Sequence, residues 1–120
     1  MTIHEIAVGQ TAEFTKTVTE TDVVLFAGIT GDFNPAHVNA AEAERSRFGG
    51  RIAHGMLSAG FISAAIAMRL PGPGTIYLKQ DLKFVKPVYL GDEVTATVTV
   101  TDIPRSDRYA LATTELRTRG

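Results

Sequence analysis

The sequence predicts an α+β fold in which an antiparallel sheet wraps around one long buried helix. The first observation is order: a strand-like run, then helical segments, then consecutive strand-like runs, as in a sheet with helices on one face. The second is the segment "AHGMLSAGFISAAIAMRL", residues 53–70, which is apolar on every side instead of along one stripe. A soluble helix of that kind is surrounded by other elements, so long strands beside it imply wrapping.

In chain order, residues 13–19, "EFTKTVT", set Phe14 and Val18 against threonines and predict the first strand. The run "TETDVVLFAGITGD" predicts a helix with Thr19 as N-cap and Asp22 three residues on. Val23, Phe26 and Ala27 supply its apolar stripe and Gly31 its exit. The loop "TGDFNPAHVN", residues 30–39, is expected to be neither helix nor strand. Asn39 with Glu42 predicts a cap on a short helix, "AAEAERS", stopped by Gly49-Gly50. The long apolar helix ends at "LPGPG". Strands are predicted at 75–85, where Ile76, Leu78, Leu82 and Phe84 share a face with Gln80, and at 92–101. In the latter Val94, Ala96, Val98 and Val100 oppose Thr95, Thr97, Thr99 and Thr101. Residues 109–118 alternate less cleanly.

Composition narrows the function. A chain of 120 residues is expected to form one domain, and its net charge of −1 gives no argument for nucleic acid or an anionic membrane. The absence of cysteine excludes disulfides, thiolate metal sites and a cysteine nucleophile. Met1-Thr2-Ile3-His4-Glu5 lacks a basic-then-apolar signal pattern, and Gly55–Met68 is too short to span a bilayer. The expectation is a soluble cytoplasmic protein.

Two features carry chemistry. Pro35 holds Asn34 extended, so the backbone must turn between Asp32 and His37, letting a carboxylate and an imidazole share one water as acid and base. The plain alternative is that Asp32 caps a turn and His37 packs or faces solvent. At "HGM", Gly55 opens the long helix, where unpaired N–H groups and the dipole favour developing negative charge and glycine admits a close carbonyl. Tight packing is the alternative for Gly55, and His54 reads as structural, bonded to backbone. His4, His37 and His54 have no close metal-ligand spacing, so no metal is expected. "PGPGT" lacks a phosphate-loop lysine, and Ser58 and Ser63 have no nucleophile-elbow context. Lys79, Lys83 and Lys86, with Asp81 among them, read as a solvated face, and Gln80 calls for a backbone partner if buried.

Taken together, "FAGITGDFNPAH" and the downstream "GGRIAHGMLSAGFISAAIAMRLPGPGTIYLKQDLKFVKPVYLGDEV" resemble the MaoC-like (R)-specific enoyl-CoA hydratases, especially the short bacterial form that supplies polyhydroxyalkanoate synthesis. The resemblance implies a single hot-dog domain over residues 1–120 and a homodimer, with an acyl-CoA or acyl-carrier-protein thioester as substrate. It implies no cofactor, metal, nucleic acid or membrane partner. On that analogy Asp32 and His37 are the catalytic pair, the Gly55 amide is the oxyanion donor, and Asn34 shapes the loop or positions water. Met56, Ala59, Ser63 and Ile66, at helical three- and four-residue steps, would line the acyl pocket. Family members usually continue past "ELRTRG" into a final strand, so either this sequence is a shortened piece or the protein omits that strand and leaves one sheet edge open. The rival readings are a (3R)-hydroxyacyl-carrier-protein dehydratase, separated by comparing thioester carriers, and a non-catalytic acyl-CoA-binding module, separated by binding without hydration. A thioesterase, revealed by free thiol release, fits the loop less well.

Overall fold

The computed structural model describes residues 6–103 and 110–119. In chain order they form β1 (Thr11–Thr17), α1 (Glu20–Thr30), α2 (Pro35–Val38), α3 (Ala40–Arg45), α4 (Gly55–Met68), β2 (Glu93–Asp102) and β3 (Leu111–Arg119). The strands make one sheet in the order β1-β2-β3. Its first pair is antiparallel. Thr15 meets Thr95 hydroxyl to hydroxyl at 2.9 Å, while the Thr97 hydroxyl donates to Glu13 at 3.3 Å and the Thr99 hydroxyl to Thr11 at 3.3 Å. Partners thus advance along one strand as they retreat along the other. The alternation expected for β2 is present: Val94, Ala96, Val98 and Val100 are all buried, with the threonines between them more exposed. For β3, Tyr109 lies outside the described residues, as does His4.

The chain divides into two compact units, one drawn from the described parts of Met1–Thr15, Gly60–Gln80 and Thr95–Arg117, the other from Lys16–Ala59, Asp81–Val94 and Thr118–Gly120. In the first, the later turns of α4 bring Phe61 to within 6.4 Å of Phe14 on β1, ring centroid to ring centroid. In the second, the Val18 N–H donates to Asp92 O at 2.9 Å and the Gly91 N–H returns a bond to Val18 O at 2.8 Å.

Helix α1 starts as its sequence dictates. The Asp22 N–H donates to Thr19 Oγ1 at 3.1 Å and the Thr19 N–H to Asp22 Oδ2 at 3.0 Å, a complete capping box. Gly31, at φ 83°, ends it in the left-handed conformation glycine tolerates, its N–H on Ala27 O at 2.8 Å. Val23 and Ala27 are buried. Asn39 caps α3, accepting from the Glu42 N–H at 3.0 Å.

Three expectations need correction. The loop at 30–39 does contain a helix: Asn34 (φ −52°, ψ 131°) is extended, but it serves as N-cap to α2 with Pro35 at the first helical position, where its missing N–H is no loss. Residues 75–85 form no strand among the described residues. Their alternation is real, yet no strand of the sheet pairs with them, and Ile76, Leu78 and Val85 are about three-quarters exposed. Gln80 is exposed too, so its expected buried partner does not arise. Finally, α4 is not buried on every side. Ser58, Ala59, Phe61, Ile62 and Ala65 are buried, whereas Met56 and Met68 are more than half exposed. Among the described residues no helix is long and apolar enough to cross a membrane.

Candidate active site

The site is built by the turn between α1 and α2 and by the start of α4, all within the second unit. Asp32 Oδ1 accepts the Asn34 N–H at 3.2 Å, and Asn34 Oδ1 accepts the Ala36 N–H at 3.0 Å. These consecutive side-chain caps bend the chain and start α2 at once, which sets His37 one turn beyond Asp32. Arg51 braces that turn. Its Nε–H donates to His37 O at 2.7 Å and its Nη1–H to Glu20 on α1 at 2.6 Å.

Each histidine ring donates to a backbone carbonyl. His37 Nδ1 lies 2.8 Å from Ile52 O, and a carbonyl only accepts, so Nδ1 donates there and Nε2 is left for proton exchange. By the same logic His54, 2% exposed, donates from Nε2 to Asp32 O at 2.9 Å. Among the described residues its Nδ1 is buried with no hydrogen-bond partner, as is the Ser58 hydroxyl one turn along. The His37 and His54 rings stack, 3.9 Å between centroids and 29° between planes, and Phe26 packs against His54 at 4.8 Å.

One carboxylate oxygen of Asp32 and one ring nitrogen each of His37 and His54 lie within 4.8 Å of one another. A water bonded to two groups, at about 2.8 Å to each, bridges a separation of about 5 Å. Asp32 and His37 therefore lie within the range that one water can bridge. Sequence spacing alone gave no hint of this metal-like cluster, because the fold, not the chain order, gathers it. Ring orientation argues against an ion there. An ion sits about 2.1 Å from an imidazole nitrogen, in the ring plane. Planes tilted by only 29° at 3.9 Å do not converge on such a point.

Beside the cluster an open cleft of about 450 Å³ is lined by Phe26, Thr30, Asp32, His54, Gly55, Met56 and Phe84. Gly55 is the first residue of α4, so its N–H has no acceptor within the helix. His54 O receives the Leu57 and Ser58 N–H groups at 3.1 and 3.4 Å and closes the first helical turn. A Cβ at Gly55 would stand 3.0 Å from Cε1 of Phe84. Both readings of this glycine thus have a structural basis, an open N–H and a tight contact.

Of the residues expected at the site, Asp32 and Gly55 line the cleft together, His37 stacks beside it, and Asn34 caps α2. Met56 lines the cleft. Ala59 is buried within α4, Ser63 and Ile66 are half-buried further along it, and none of these three is among the cleft's lining residues. Phe26, Thr30 and Phe84 were not anticipated there. Phe26 and Thr30, four apart on α1, were legible as one helix face. Phe84 had no signal, because its segment reads as a strand.

The family described as "MaoC like domain" matches residues 4–119. An (R)-specific enoyl-CoA hydratase of Rhodospirillum rubrum is 59% identical over 100 residues, spanning 83% of this chain and 69% of that protein. Among solved structures, the R-hydratase PhaJ1 of Pseudomonas aeruginosa in its unliganded form superposes with a TM-score of 0.93 at 47% identity, over 98% of this chain and 76% of that one. The (R)-hydratase of Aeromonas caviae involved in PHA biosynthesis gives 0.91 at 42% identity, over 94% and 86%.

Proposed function

The chain belongs to the MaoC-like domain family, with its hot-dog fold, and from that premise we propose how its loop and helix act on substrate. It is a hydro-lyase: an (R)-specific hydratase that converts a trans-2-enoyl-CoA to the (3R)-hydroxyacyl-CoA, and dehydrates it in reverse. The observation that carries the residue assignment is the approach of the Asp32 carboxylate and the His37 ring to within reach of one water, next to Gly55.

The thioester carbonyl of the substrate sits at the start of α4, where the Gly55 N–H donates to its oxygen. As water adds to C3, charge moves onto that oxygen, and a donor held in place stabilises the enolate-like transition state more than the ground state. Asp32 takes the proton from the attacking water. His37 delivers a proton to C2, and because Nδ1 is committed to Ile52 O, the proton travels on Nε2. Transfer from Asp32 back to His37 restores both groups, so the sum is one water added across the double bond. Asn34 shapes the turn, and Met56 with Phe26 and Phe84 supplies apolar wall for the acyl chain near the thioester.

We read residues 1–120 as one such domain that works as a homodimer. Support comes from the large apolar side chains left exposed in the single chain, Ile76, Leu78, Phe84 and Val85 among them. Incubation with crotonyl-CoA tests the function. Loss of enoyl-thioester absorbance, faster than for the same acyl group on carrier protein, is expected; no loss with either carrier contradicts it.

A further inference from the structure

We propose that His54 is a positioning residue, whose Nε2–H holds the Asp32 carbonyl and so fixes the proton-handling turn against the start of α4. The inference rests on the hydratase reading above and concerns a residue outside the proposed acid–base pair. His54 lies at the junction of every part of the site. Its own carbonyl closes the first turn of α4 directly before Gly55, through the Leu57 and Ser58 N–H groups. Its ring reaches back to the backbone of Asp32 at 2.9 Å and lies flat against His37 at 3.9 Å. One residue therefore joins the start of α4, through its backbone, to the acid residue and the imidazole, through its ring.

Packing alone does not account for a histidine here. The residue is 2% exposed, and its Nδ1 is buried without a hydrogen-bond partner among the described residues. Burying an unpaired ring nitrogen is unfavourable, and phenylalanine would fill the same space beside Phe26 without that penalty. What the imidazole provides in exchange is one directed bond, Nε2–H to Asp32 O. That bond matters because the two halves of the reaction are held on different elements, the turn and α4. Displacing one from the other by about 1 Å is enough to slow turnover by about 100-fold while substrate still binds.

Two substitutions separate the bond from the ring. His54→Phe keeps a flat ring against His37 and removes the donor. His54→Gln removes the ring and places an amide N–H where Nε2 stood. With crotonyl-CoA as substrate, His54→Phe is expected to lower kcat by about 10- to 100-fold with KM changed less than about threefold. His54→Gln is expected to recover kcat to within about fivefold of wild type, although it is less stable to heat. Wild-type kcat in a folded His54→Phe, or equal losses in both variants, overturns the inference while leaving the hydratase reading in place. If His54→Phe does not fold, His54→Gln decides alone: kcat within about fivefold supports the bond, and a larger loss overturns it. A wild type with no turnover overturns the functional reading and this inference with it.

Discussion

His37 donates from Nδ1 to the Ile52 carbonyl at 2.8 Å, which leaves Nε2 as the one nitrogen of that ring free for proton transfer. Asparagine at this position would keep a donor near Nδ1 and lose Nε2. His37→Asn is therefore expected to stay folded and to lower hydration of crotonyl-CoA by about 10²- to 10⁴-fold, and His37→Ala and Asp32→Asn by a similar factor. The check is the rate of enoyl-thioester absorbance loss, with circular dichroism to confirm the fold. Near wild-type turnover in any of the three removes that residue from the mechanism.

Gly55 and Phe84 are coupled by contact. A methyl on Gly55 would press on the Phe84 ring at 3.0 Å, and either the ring or the start of α4 must move. Gly55→Ala is expected to cost about tenfold in kcat, and Phe84→Leu in the same chain to recover part of it. A double-mutant cycle measures this. Strictly additive effects would show that the ring does not constrain the helix start.

The capping box of α1 sets the stability of the helix that carries Phe26 and Thr30. Thr19→Ala removes the acceptor for the Asp22 N–H and is expected to cost about 1 kcal/mol, lowering Tm by about 3–6 °C. Thr19→Ser retains most of it. Turnover at room temperature is expected to be unchanged in both, because neither touches the cleft.

Acid sensitivity has a named source in Asp22. Burial pushes its carboxyl up, but hydrogen bonds from Lys16 and from the Thr19 backbone and side chain, with the Lys16 charge, hold it below its ordinary 3.8. A folded-state pKa below the unfolded one adds stability that is complete above 3.8 and is lost as pH falls through the folded value. Wild type is expected to melt above Asp22→Asn near neutral pH, with the gap closing below about pH 4. Thermal unfolding of both proteins across that range is the measurement. A gap that persists unchanged into acid would trace the stability to another group.

Much of this was legible in the sequence because the governing interactions are local. Thr19 with Asp22, Asn39 with Glu42 and Gly31 each act within a few residues of the backbone they cap, and β2 shows its buried face by alternation alone. The turn from Asp32 to His37 was legible as a bend, though not as a helix start, since Pro35 suits both. What sequence could not supply was partnership across the chain. Residues 75–85 have a strand's pattern, but pairing requires a neighbour, and a pattern does not specify one. His54 sits 17 residues from His37 in the chain and 3.9 Å from it ring to ring. The Phe84 contact over Gly55 is likewise set by tertiary packing, so the glycine's tight fit was invisible beside its open N–H.

The proposal that one water is held between Asp32 and His37 on a single face of the substrate is tested most directly by stereochemistry. Crotonyl-CoA incubated with the protein in water, followed by chiral separation of the 3-hydroxybutyryl product, is expected to yield the (3R) form alone, with Asp32→Asn giving almost none. A (3S) or racemic product, or equal yield from Asp32→Asn, would contradict it.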